Sequence, residues 1–249
     1  MLYMNDGQML FDSSTTWNKQ AWDVDDAILR LKGQNKLRDF ILVGIWNTKL
    51  RHSEYIPEKP FQSLTASEKQ RVTDASKKNA NREMKEGKPI SDRYLEFLVK
   101  ELKPFIDRTF STKKGPKHTF IAGSSKGGLI SMYAICEYPK IFGGAACISS
   151  DWPVIFTNEN NPMPKALQNY ISKHAPNPKN HKLYFDFGTK TLDSLYEGHQ
   201  LKVDSILKER KFEFKSGNFM SLKFEGKAHT ERDWSKRFEI PLLFLLGKK

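Results

Sequence analysis

Ten residues constrain this chain more than any others. Phe120-Ile121-Ala122-Gly123-Ser124-Ser125-Lys126-Gly127-Gly128-Leu129 packs an apolar strand, a tight turn and a helix start into one stretch. Gly123-Ser124-Ser125-Lys126-Gly127 fits G-x-S-x-G, a nucleophile elbow, with Ser125 at a strained strand-to-helix bend that only small neighbours tolerate. A neutral hydroxyl is a weak nucleophile, so such a bend must present its oxygen beside a base and near main-chain N–H groups that can receive an oxyanion. The N–H of Lys126 is one candidate donor. The context agrees on both sides: Lys117 to Ala122 reads as a short strand, and Leu129, Met132, Tyr133 and Cys136 recur at helical spacing until Pro139.

Around the elbow, short apolar runs alternate with helical patterns, the signature of a mostly parallel sheet flanked by helices. Met1 to Met4 reads as a buried strand running straight into Asn5-Asp6-Gly7-Gln8, where Gly7 and Gln8 are candidates for the second oxyanion donor; a plain Asp-Gly turn reads equally well. Trp17 to Leu31 has helical spacing closed by Gly33. Phe40 to Ile45 is a strand expected to be buried on both faces. Beyond it stand Trp46, Asn47 and Arg51, at the carboxyl edge where open α/β sheets carry their sites, so they are candidates for substrate lining or for simple loop packing. Trp152 stands likewise after the strand Gly143 to Ile148. Two stretches, about 58–90 and 153–180, are polar or proline-rich and are expected to be covers or insertions over the site within a single domain spanning 1–249.

Chemistry at Ser125 needs a base and then an orienting acid, in the chain order serine, acid, histidine, each after a later strand. Of the six histidines, His229 alone follows the final strand, Phe219 to Phe224, in a glycine-containing loop. Asp193, in the turn after the strand Leu183 to Gly188, suits the acid. Asp151 is the second choice, and Asp186, inside a strand, is expected to be turned away or bonded structurally. His229 would then take the Ser125 proton as an acyl-enzyme forms, and water would release the acid.

The net charge of +12, from 41 Lys and Arg against 29 Asp and Glu, raises a nucleic-acid reading. The basic residues are mostly lysines interleaved with acids and belong to no nucleic-acid module, so a solvated surface is favoured, and attraction of anionic substrates stays open. No apolar run reaches the ~20 residues of a membrane helix, and no secretory leader opens the sequence, which favours the cytoplasm. Cys136 and Cys147 read as core residues, with no disulfide framework and no metal-ligand spacing.

Asp6-Gly7-Gln8, Arg51 with Glu54-Tyr55-Ile56-Pro57, Phe97-Leu98 with Glu101 to Asp107, the elbow, and Gly226 with His229 together resemble one esterase family of the α/β-hydrolases. That family includes enterochelin-type siderophore esterases, feruloyl esterases and S-formylglutathione hydrolase relatives. The resemblance spans almost the whole chain and implies the α/β-hydrolase fold and hydrolysis of a small-molecule carboxylic ester without metal or cofactor. One departure matters: the family's opening strands are missing ahead of Met1, so they are expected to be absent or to lie upstream. A bare first strand would leave either a shortened sheet or an edge through which two copies pair. A non-catalytic binding module on the same scaffold is the alternative of a different class.

Overall fold

The computed structural model describes residues 1–77 and 84–248. Six strands form one parallel sheet in the order β2-β1-β3-β4-β5-β6: β1 is Leu2–Asn5, β2 Leu42–Ile45, β3 Phe120–Ser124, β4 Gly144–Ile148, β5 Lys182–Gly188 and β6 Phe219–Phe224. Successive side chains of a strand point to opposite faces, and the core divides accordingly. Tyr3, Ile121, Ala145, Cys147, Leu183 and Phe185 pack on one side of the sheet. Leu2, Met4, Phe120, Ala122, Ala146 and Tyr184 pack on the other. With an apolar layer on each face, helices must cover both.

The second face is covered by α1 (Val24–Gly33), α10 (Glu231–Ser235) and α11 (Glu239–Leu246). The first carries α2 (Arg51–Tyr55), α3 (Glu58–Gln62), α4 (Ala66–Lys77), α5 (Ser91–Glu96), a π-helical stretch Phe97–Leu102 leading into α6 (Lys103–Thr109), α7 (Lys126–Glu137), α8 (Met163–His174) and α9 (Glu197–Glu209). The fold is that of an α/β-hydrolase, with helices on both sides of a parallel sheet.

Several expectations change. β1 is not an edge, because it bonds to β2 on one side and β3 on the other, so the sheet ends at β2 and β6. Any pairing of copies through a sheet edge would therefore run through one of those two strands. β2 is only half-buried along most of its length, as an outermost strand must be, whatever its apolar sequence suggests. The first helix begins at Val24 rather than Trp17, which is 83% exposed on a loop. The stretch 58–90 is largely helical and anchored in the core by Phe61, Leu64, Val72 and Met84, although residues 78–83 of it lie outside the described residues. In 153–180 an irregular start, with Val154 and Phe156 in the left-handed region, gives way to the twelve-residue α8.

Candidate active site

Strand register brings the candidate residues to one edge. Ser124, Ile148 and Asp186 are aligned across β3, β4 and β5, so Ser125, Ser149 and the turn after Gly188 all emerge at the carboxyl end of the sheet. Ser125 adopts φ 55°, ψ −125°, a backbone conformation that costs an L-residue energy and that marks an elbow. Its N–H donates to the Ile148 carbonyl at 2.9 Å, and its carbonyl accepts the first helical bond of α7 from Leu129 at 3.1 Å. A Cβ on Gly123 would lie 2.6 Å from the carbonyl carbon of Gly127, so the bend closes only because that position is glycine.

His229 follows β6 on a loop laced to the turn after β5. Thr189 and Lys190 N–H groups both donate to the Lys227 carbonyl at 2.9 Å, and the His229 N–H donates to Thr191 Oγ1 at 2.8 Å. The lacing sets His229 Nδ1 2.5 Å from Asp193 Oδ1, with the imidazole 9% exposed and the carboxylate fully buried. Trp234 and Tyr196 both meet the imidazole ring edge-on, at 4.9 and 5.7 Å between centroids, which fixes its plane. Among the described residues no hydrogen bond joins Ser125 Oγ to His229 Nε2.

Of the two carboxylates weighed as the acid, Asp193 therefore stands against the imidazole. Asp151 is held by the buried Lys126 ammonium, which also donates to the Val154 carbonyl at 2.8 Å and lies 5.1 Å from the centre of the Phe156 ring. Asp186 is bonded within the core: Arg237 donates to Oδ1 from Nη2 at 2.9 Å and Nε at 3.2 Å, and Tyr184 donates to Oδ2 at 2.7 Å. Burial pushes the Asp186 carboxyl up, and the guanidinium opposes that.

On the other flank, Asn5 Nδ2 ties β1 to the elbow by donating to Gly127 O at 3.2 Å and Ser131 Oγ at 2.9 Å. This sets the turn carrying Gly7 and Gln8 beside the start of α7, where the Lys126 N–H belongs to a first helical turn whose main-chain donors point outward. Asp6 anchors that turn. Its carboxylate accepts from Arg51 Nε at 2.6 Å and Nη2 at 2.7 Å and from Asn47 Nδ2 at 2.6 Å, while Gln8 Oε1 accepts from the Asn47 N–H at 3.2 Å.

Asn47 and Arg51, candidates for substrate lining, each donate from the side chain to Asp6. Trp46 is 73% exposed beside them. Trp152 is 1% exposed and donates its indole hydrogen to Gln200 Oε1 at 3.0 Å, a place in the core beneath the site. No motif singles out the structural roles of Asn5 and Asp6. Apart from the place of Asp6 in the Asp6-Gly7-Gln8 stretch, a polar pair closing an apolar strand at the sheet's carboxyl edge is the signal the sequence offers for them. Among the described residues no group of three His, Cys, Asp or Glu side chains could hold a metal ion, and no helix is long and apolar enough to cross a membrane.

A family model described as "Putative esterase" matches residues 1–244 of the chain. The chain is 27% identical over 254 residues to "Uncharacterized protein YbbA" of Bacillus subtilis, covering 99% of this chain and 85% of that one. Among solved structures it is similar to an IroE-like serine hydrolase from Shewanella oneidensis, with TM-score 0.62 and 17% identity over 98% of this chain and 68% of the other. It is also similar to a ferulic acid esterase, with TM-score 0.64 and 14% identity over 98% of this chain and 83% of that one. At such identities the structural likenesses speak for the fold.

Proposed function

The chain belongs to the esterase family, and from that premise we propose that it is a serine carboxylesterase acting on small-molecule esters, with Ser125 as nucleophile, His229 as general base and Asp193 as orienting acid. The observation that carries the reading is the 2.5 Å contact between His229 Nδ1 and Asp193 Oδ1, on the sheet edge where Ser125 stands in its strained turn. With Nδ1–H committed to the carboxylate, the Nε2 lone pair is left to accept the Ser125 proton. Oxygen attacks the ester carbonyl, and the oxyanion is received by the N–H of Lys126 and by an N–H of the Gly7–Gln8 turn. The imidazolium then protonates the departing alkoxide. Water, deprotonated by the same imidazole, attacks the acyl-enzyme and frees the acid and Ser125. The serine–imidazole bond is expected to tighten when substrate fills the site, as catalytic hydrogen bonds commonly do.

The test is turnover of a p-nitrophenyl short-chain ester. Ser125→Ala and His229→Ala are each expected to reduce kcat by about 10³-fold or more, the scale of loss for members of such a triad. A variant of either kind with wild-type kcat refutes the role assigned to that residue. If the wild-type protein shows no turnover across acyl, feruloyl and lactone esters, the reading as a binding module replaces it.

A further inference from the structure

Behind Asp193 lies a buried polar cluster that the proposed reaction does not use. We infer that Ser149, backed by Arg237 and Trp234, is a positioning residue that orients Asp193 and through it His229. The inference rests on the reading of Ser125, His229 and Asp193 as a triad.

Hydrogens available at one hydroxyl decide the direction of its bonds. Ser149 follows β4, is fully buried, and stands at φ 43° with its N–H donated to the Asp186 carbonyl at 2.8 Å. Three polar groups surround its hydroxyl oxygen: Asp193 Oδ2 at 2.6 Å, Arg237 Nη2 at 2.9 Å and Trp234 Nε1 at 3.0 Å. A serine hydroxyl has one hydrogen to give and two lone pairs, while indole and guanidinium nitrogens can only donate. Trp234 and Arg237 therefore fill both lone pairs, and the single hydrogen has Asp193 Oδ2 as its acceptor. The Gly188 N–H donates to the same Oδ2 at 2.6 Å. With Oδ2 accepting two hydrogen bonds, Oδ1 is turned to His229 Nδ1, and that contact selects the tautomer whose Nε2 is free to act as base.

Charge is arranged to match. The guanidinium shares one hydrogen-bonding nitrogen between Asp186 and Ser149, and its Nη2 stays 4.0 Å from Asp193 Oδ2. Asp186 takes the guanidinium's direct bonds to a carboxylate, Arg237 acts on Asp193 across the longer 4.0 Å ion pair, and Asp193 keeps Oδ1 for the imidazole. A pair serving the fold alone would need only Asp186 and Arg237. The bond from Nη2 to Ser149 is what couples it to the site.

The test is Ser149→Ala, with Ser150→Ala as control, because Ser150 is the adjacent residue, is equally buried, and its hydroxyl has no hydrogen-bond partner among the described residues. For Ser149→Ala, kcat should fall roughly ten- to hundred-fold, by analogy with the loss on removing the outer hydrogen-bond partner of a metal-bound histidine, with KM changed by less than about twofold. The low-field proton resonance of His229 Nδ1–H, assigned by its absence in His229→Gln, should move or broaden in Ser149→Ala and persist in Ser150→Ala. A folded Ser149→Ala protein with wild-type kcat, or with reduced kcat and an unmoved resonance, overturns the inference. If Ser149→Ala does not fold, Ser149→Cys decides: its weak S–H donor in similar volume should give an intermediate loss, and wild-type kcat there overturns it. Wild-type turnover in Ser125→Ala would instead sink the triad reading on which the inference rests, while the resonance, read without substrate, still reports whether Ser149 orients the imidazole.

Discussion

Residues in this chain whose polar groups are buried divide by whether their partners are complete. Asp6 is a complete case, with Arg51 forked onto its two oxygens and Asn47 alongside, so a carboxylate whose side chain is 12% exposed is fully compensated. His199 is an incomplete one. Its Nε2 meets Asn158 Oδ1 at 2.8 Å, but its Nδ1 is buried with no partner among the described residues. Protonating Nδ1 would place an N–H where nothing accepts it, and burial, with Lys202 nearby, holds the imidazole below its ordinary value of 6.5. The folded chain thus resists a proton that the unfolded chain takes up. Stability from this group is present above pH 6.5 and is lost as pH falls below it toward the depressed folded value. The fall in Tm between pH 7.5 and pH 5.5 should therefore be smaller in His199→Gln than in wild type. Equal falls in thermal melts of the two would contradict the assignment.

At the scale of elements, the site depends on two loops that cross at one glycine. Gly188 closes β5, and a Cβ there would lie 2.2 Å from the Lys227 carbonyl oxygen and 3.0 Å from Asp193 Oδ2. Gly188→Ala must push the loop after β6 away from the turn carrying Asp193, opening the bonds from Thr189 and Lys190 to Lys227. Overpacking of this kind costs ~1–3 kcal/mol, whereas a shift of about 1 Å between catalytic groups can cost a hundredfold in rate. Ester turnover should thus drop much more steeply than Tm, and wild-type kcat/KM in this variant would show that the loops do not position His229. Gly188 stands in the sequence as the end of a strand and nothing more. Its importance comes from Lys227, on the far side of a helix and another strand. The same distance hid Ser149 and Arg237, which are 88 residues apart and carry no local motif. The elbow was legible because all its parts are neighbours in sequence. The pairing of His229 with Asp193 was legible because chain order restricts which loops can meet at that edge of the sheet.

For the whole molecule, what the sequence left open was arrangement. Phe40 to Ile45 is as apolar as the interior strands, yet it lies outermost, because apolarity reports that a strand is covered and not which strands stand beside it. Charge is a second property of the whole. The excess of 41 Lys and Arg over 29 Asp and Glu is distributed, but Lys49, Lys190 and Lys227 follow β2, β5 and β6, on the edge where Ser125 lies. Of three acids at that edge, Asp6 is paired with Arg51 and Asp151 with Lys126, so of these three Asp193 alone, beside a neutral imidazole, offsets those lysines. A positive field over the mouth should raise the encounter rate of esters bearing a free carboxylate, and salt should weaken it as the screening length falls from about 10 Å at 0.1 M to about 3 Å at 1 M. For a monoester of a dicarboxylic acid, kcat/KM is expected to fall several-fold over that range, while a neutral ester of equal acyl length changes little. The comparison isolates the field, because salt effects on folding or on the chemical step would act on both esters. Parallel responses would mean that the surplus lysines solvate the surface without steering substrate.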